Sequence, residues 1–104
     1  MKVKGIKKAI TELRSCPSGF GLMLKLNLDR LEVETSNGCE RRSSCPSWRG
    51  LSENELNLGF FEAPLSQAEL MDNIIFTLAQ AQAYKLEPGK EEKLKKASAL
   101  IAEG

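Results

Sequence analysis

The sequence predicts an α+β fold, with an N-terminal helix, a small antiparallel sheet of about three strands, and a C-terminal helical hairpin packed on one face of that sheet. Three patterns support this prediction: leucines alternate over residues 22–28, a helix-capping signal begins at Ser66, and residues 87–89 separate two helical segments. The 104 residues match the commonest size of one domain. With 41% hydrophobic and 28% charged residues, the chain has enough apolar material to form a core. Residues 1–104 are therefore expected to form a single domain.

The first element is a short amphipathic helix predicted over residues 3–13. Its apolar positions recur at helical spacing and are Val3, Ile6, Ile10 and Leu13. Lys4, Lys7 and Lys8 fall on the other faces, so the exposed side of this helix is expected to be basic. Pro17 and Gly19 then end the helix in a turn.

The next segment predicts a strand that carries Leu22, Leu24, Leu26 and Leu28 on one face, with Met23 opposite. After Leu28 the alternation changes phase, which a turn at residues 29–30 explains by pairing Leu26 with Val33. Asp-Arg is a poor sequence for a tight hairpin turn. A bulge within one longer bent strand is therefore the alternative to the hairpin.

A polar segment and a third strand follow. Asn37-Gly38 marks a turn, and residues 39–49 are polar and without periodicity, which predicts a loop. Leu56, Leu58 and Phe60 then alternate before Pro64, which predicts a third strand with these three side chains on one face.

The C-terminal third predicts two helices. Ser66 and Glu69 have the spacing of a capping box, and apolar residues recur at helical spacing from Gln67 to about Lys85. Residues 87–89, Glu-Pro-Gly, interrupt this pattern, and residues 90–102 resume it. The two segments should pack as a helical hairpin.

The cysteines and the N-terminus favour a cytoplasmic location. Cys16, Cys39 and Cys45 form an odd set, and the first residues lack the apolar run of a secretion signal, so reduced thiols are expected. No apolar stretch has the length of a membrane span, so no membrane association is expected. The four-residue sequence Ser-Cys-Pro-Ser occurs at 15–18 and at 44–47, through either a decayed duplication or chance.

The absence of histidine restricts the chemistry of the protein. With no histidine in the chain, the usual general base and the usual metal ligand are both missing. Three cysteines without a Cys-x-x-Cys pair do not make a structural zinc site. We therefore expect no enzyme activity, no catalytic residue, no metal and no cofactor.

Charge is distributed unevenly. Residues 1–50 contain ten Lys and Arg against five Asp and Glu, whereas residues 51–104 contain five against nine. Trp48 lies among arginines in the polar segment, and tryptophan and arginine are typical of binding hot spots and of nucleic-acid contacts. The expected interaction residues are Arg41, Arg42, Trp48, Arg49, Lys4, Lys7 and Lys8.

These observations predict a small non-enzymatic interaction module, of adaptor or inhibitor type, that binds a protein partner. The alternative is a nucleic-acid-binding protein that uses the same basic residues, although the net charge of +1 lacks the excess typical of that class. A cysteine-dependent redox protein or enzyme is the third hypothesis. A homodimer is also expected, with Met23, Phe61 and Trp48 covering the open side of the small sheet.

Overall fold

The computed structural model describes residues 3–36, 38–41, 43, 51–62 and 65–103. Its three helices and four antiparallel strands confirm the α+β class and the order helix, sheet, helices. In chain order the elements are α1 (Ile6–Arg14), β1 (Phe20–Asn27), β2 (Glu32–Thr35), β3 (Glu40–Arg41), β4 (Glu55–Glu62), α2 (Gln67–Ala83) and α3 (Glu91–Ala102).

Strand β1 is the centre of the sheet. Along one edge it pairs with β2, through Leu26 opposite Val33, and further along with β3, through Gly21 opposite Glu40. Along its other edge it pairs with β4. The sheet is therefore three strands wide, because β2 and β3 follow one another along one edge of β1 and β4 occupies the other. The predicted register of Leu26 with Val33 is confirmed.

The hairpin between β1 and β2 avoids a tight two-residue turn. The side chain of Asn27 accepts hydrogen bonds from the backbone N–H groups of Asp29 and Arg30, at 3.0 and 2.9 Å. Leu31 then takes a left-handed conformation, with φ of 50°. This wider turn removes the objection that Asp-Arg is a poor sequence for a tight hairpin turn.

A bulge in β4 overturns the predicted facing of Phe60. Leu24 is opposite Gly59 but Lys25 is opposite Asn57, so Leu58 is an additional residue on the β4 side. The side chain of Asn57 accepts from the N–H of Gly59 at 2.9 Å, and Gly59 has φ of 103°. Beyond the bulge, the side chains of β4 that alternation predicts on the core face lie on the opposite face of the sheet, and the reverse. Phe61 packs against the core, whereas Phe60 lies opposite Met23 on the other face.

Helix α1 begins later than the spacing predicted. Lys4 is not helical: its N–H donates to the carbonyl of Leu31, and its carbonyl accepts from the N–H of Val33, both at 2.8 Å. Gly5 then turns the chain with φ of 83°, and a Cβ there would lie 2.5 Å from the carbonyl oxygen of Val33. Because only glycine fits this close approach, the helix starts at Ile6.

The core lies between the leucine face of β1 and the helices. It is built almost wholly from aliphatic side chains, and the largest ones with almost no exposure are Leu13, Leu24, Leu26, Leu31, Leu56, Leu70, Ile74, Leu78 and Leu94. Among the described residues no polar or charged residue is buried. Hydrophobic burial therefore holds the helices on one face of the sheet.

The C-terminal hairpin is fixed at both of its helices. The capping box at Ser66 is confirmed, since its side chain accepts from the N–H of Glu69 and the Glu69 carboxylate accepts from the N–H of Ser66. At the start of α3, Lys90 donates to the carbonyl of Glu55 at 2.6 Å, and Lys93 contacts Asp29 at 3.3 Å. These lysines attach α3 to the ends of the strands.

The expectation of reduced thiols is wrong for Cys16 and Cys39. Cys16, just after α1, and Cys39, just before β3, form a disulfide with their Cα atoms 5.6 Å apart. The odd count predicted reduced thiols, but the fold brings these two side chains together from positions 23 residues apart. Cys45 lies outside the described residues.

No helix in the described ranges combines the length and the apolar character that crossing a bilayer requires.

Candidate basic interface

The exposed side of α1 forms a row of cations. Lys7, Lys8 and Arg14 are exposed on the helix, and exposed Lys4 immediately precedes its first turn. Lys7 and Arg14 are seven residues apart and so lie on the same side, about 10 Å apart along the axis. We name Lys4, Lys7, Lys8 and Arg14 the basic ridge.

The basic ridge has no neutralising partner within the part of the chain that the structure describes. None of its four residues is in an ion pair there. The single acid of α1, Glu12, is turned toward the sheet, where it accepts a hydrogen bond from the hydroxyl of Thr35. The charge of the ridge is therefore directed outward.

Edge strand β2 borders one flank of the basic ridge. Lys8 shares a polar cleft with Glu32 and Glu34 of β2. Both glutamates are also held by Arg30, whose guanidinium lies 3.1 Å from Glu34 and 3.8 Å from Glu32. The ridge is thus bordered by an edge strand of mixed charge.

Arg41 lies away from the lysines that start the basic ridge. It is opposite Phe20 in the sheet, whereas Glu32, which pairs with Lys4, is opposite Asn27. Seven residues of β1 separate these two positions, a distance of about 23 Å. The structure therefore does not bring Arg41 together with Lys4.

Arg41 lies near the far end of the ridge instead. The Cys16–Cys39 disulfide ties the segment after α1 to the segment before β3, and Arg14 and Arg41 each lie two residues from it. The guanidinium carbon of Arg41 is 5.2 Å from the centre of the Phe20 ring, within cation–π range.

The sequence-predicted residues thus divide into three groups. Lys7 and Lys8 are exposed on α1 as predicted, and Lys4 is exposed but precedes the helix. Arg41 belongs to strand β3, not to a loop. Predicted members outside the described residues are Arg42, Trp48 and Arg49.

Arg14 was missed by sequence reasoning, although a signal for it was present. It lies seven residues after Lys7 and immediately follows Leu13, the last residue of the predicted helix. A helix that extends one residue further places it on the exposed side with Lys7.

The face of the sheet that points away from the helices holds a charge cluster centred on Lys25. Its ammonium group lies 2.6 Å from the carboxylate of Glu55 and 3.5 Å from that of Glu34. The hydrogen bond between Lys25 and Glu55 lowers the pKa of Glu55 and raises the pKa of Lys25. These groups satisfy one another, which is the arrangement of a structural ion pair rather than of a catalytic acid or base.

The residues expected to cover an open sheet face are less exposed than predicted. Met23 is 7% exposed, and Phe61 packs half-buried against the core on the helix side. Trp48 lies outside the described residues. Within those described, no group of three or more His, Cys, Asp or Glu residues is arranged to hold a metal ion.

Comparison of this chain with protein-family models, with curated proteins and with solved structures finds no significant match to any of them.

Proposed function

We propose that this protein is a non-enzymatic interaction module whose basic ridge binds an acidic surface of a protein partner. The observation that carries this proposal is the row of Lys4, Lys7, Lys8 and Arg14, exposed and outside any ion pair in the described residues. Cations outside any ion pair, arranged along one helix and the residue that precedes its first turn, attract acidic partners and set the orientation of binding. An adaptor or an inhibitor would act through such a surface by bridging or by occlusion.

The charges beside the basic ridge favour a protein over a nucleic acid. Strand β2, which borders the ridge, carries Glu32 and Glu34 beside Arg30, so this flank has mixed charge. A nucleic-acid backbone is bound by concentrated positive charge. A protein surface can instead supply both acidic and basic groups, and so complement the ridge and its flank together. Nucleic-acid binding is therefore the alternative against which the proposal is tested.

The cysteine pair supports a structural role more than a chemical one. A thiolate is the reactive form of cysteine, and neither Cys16 nor Cys39 is a thiolate while they form the disulfide. The chain also has no histidine to act as a general base. Both observations favour binding over catalysis.

The cytoplasmic location remains a proposal, and the disulfide gives it a direct test. Disulfides persist in oxidising compartments and are rare in the cytosol. Thiols can be trapped in intact cells and counted on the recovered protein. Free Cys16 and Cys39 would support the cytoplasm, whereas a linked pair would assign the protein to an oxidising compartment.

The binding proposal is tested with defined probes and a matched pair of variants. Adjacent exposed lysines occur on α1, at Lys7 and Lys8, and on α3, at Lys95 and Lys96. We would measure fluorescence anisotropy of labelled polyglutamate, single-stranded DNA and double-stranded DNA with wild-type protein, K7E/K8E and K95E/K96E. All three proteins should first be shown to have the same circular dichroism spectrum.

The proposal predicts that polyglutamate binds wild type and K95E/K96E with the same affinity. Its affinity for K7E/K8E should be lower by about tenfold or more. Equal loss in both variants would mean that overall charge, not the basic ridge, determines binding. Tighter binding of either DNA, with a steep dependence on salt, would make nucleic acid the partner class.

A further inference from the structure

Helix α2 exposes apolar side chains on the side away from the core. Its buried residues are Leu70, Ile74, Leu78 and Ala81. Phe76 lies about half a turn from that buried stripe and is 60% exposed. The preceding residue, Ile75, is also 48% exposed, so α2 leaves two large apolar side chains in contact with solvent.

The exposed residues of α2 have the spacing of a helix-pairing seam. Asp72, Phe76, Ala79 and Ala83 are all exposed and follow one another at intervals of four, three and four residues. This is the interval of the apolar seam in coiled coils. The two alanines are small enough to let another helix approach beside the bulky Phe76.

We propose that α2 packs antiparallel against α2 of a second copy of this chain. A twofold axis near the middle of the seam places Phe76 of one protomer opposite Ala79 of the other, and the reverse, so the surface is complementary to itself. The same axis places Asp72 opposite the end of the partner's helix. This inference does not rest on the basic ridge, which lies on and just before α1.

The charges at the two ends of α2 set the direction of pairing. Asp72 lies near the start of the helix, and exposed Lys85 follows its end; within the described residues neither is in an ion pair. An antiparallel pair brings Asp72 of each protomer beside Lys85 of the other. A parallel pair would instead place the two Asp72 carboxylates together, which is unfavourable.

The first test is the mass of the full chain in solution by sedimentation velocity over a concentration series up to millimolar. We expect a monomer–dimer equilibrium that Phe76→Asp weakens about 30-fold or more, because the side chain lies at the centre of the interface. Ala99→Asp, at an exposed position of α3, is the matched control and should leave the equilibrium unchanged. Circular dichroism establishes that each variant is folded.

A charge exchange then tests the antiparallel direction. Asp72→Lys and Lys85→Glu should each weaken the dimer about three- to tenfold, since every dimer contains two such contacts. The double variant D72K/K85E should restore the wild-type equilibrium. A wild-type monomer at millimolar concentration, or a dimer unaffected by Phe76→Asp, would overturn the proposal. In the first case, we would expect the exposed side of α2 to bind a different protein instead. Failure of the double variant to restore the dimer would overturn the antiparallel arrangement.

Discussion

Removal of the Cys16–Cys39 disulfide should strongly lower the free energy of unfolding of this protein. The pair joins positions 23 residues apart, from the end of α1 to the start of β3. For a closed loop of that length, the loss of chain entropy in the unfolded state gives about 3 to 3.5 kcal/mol at 25 °C. For a domain of this size, that corresponds to a decrease in melting temperature of roughly 12 to 25 °C.

The assay is equilibrium unfolding in urea, followed by circular dichroism, of the oxidised protein and of C16S/C39S. The double variant leaves no unpaired partner thiol at the site. Cys45→Ser, at a position outside the described residues, controls for the replacement of a cysteine that is not in the disulfide. Equal stability of wild type and C16S/C39S, or peptide mapping that finds no link between Cys16 and Cys39, would refute the reasoning.

Three further changes have directions that the structure fixes. Lys85 follows the end of α2 in a left-handed conformation with φ of 51°, so Lys85→Gly should raise the free energy of unfolding by about 1 kcal/mol, measured in urea; a decrease would contradict the assigned backbone strain. Ser66→Ala removes the side chain that accepts from the N–H of Glu69 and should lower the melting temperature by an amount equivalent to about 1 kcal/mol. An unchanged melting temperature would mean that the cap contributes nothing. Because Lys25 lowers the pKa of Glu55, the stability from this pair is present above the ordinary carboxyl pKa of 4.5 and is lost as pH falls through the lower folded value. Urea midpoints measured from pH 6 down to about pH 3 should therefore fall less steeply in Glu55→Gln than in wild type; parallel curves would exclude this contribution.

The strands were predictable because their alternation reports burial directly. Leu22, Leu24 and Leu26 face the helices in the structure as their spacing indicated. The phase change after Leu28 also identified the register of the β1–β2 hairpin, although the turn itself depends on the side chain of Asn27. A local pattern sufficed here because each strand has one buried face.

The facing of Phe60 was wrong because a bulge interrupts the alternation. Gly59 was the available signal, since a glycine inside a strand pattern is typical of a bulge. Its effect on the register becomes visible only when β4 is paired with β1. The disulfide was missed for a related reason. The approach of Cys16 to Cys39 depends on how α1 packs beside the sheet, and no local pattern contains that information.

The candidate interface was predicted in part. Exposure of Lys7 and Lys8 followed from helical spacing, because apolar residues occupied the other side of α1. The separation of Arg41 from Lys4 could not be predicted, since it depends on which end of β1 pairs with each edge segment. The exposed seam that contains Phe76 was also overlooked, because the buried stripe of α2 dominated its pattern.

The most direct test of the binding proposal is affinity capture from a nuclease-treated cell extract, with wild type, K7E/K8E and K95E/K96E immobilised at equal density and the retained proteins quantified by mass spectrometry. The basic ridge predicts at least one protein that wild type and K95E/K96E retain equally and that K7E/K8E does not retain. Identical sets of retained proteins on all three surfaces would contradict a role for the basic ridge in partner binding.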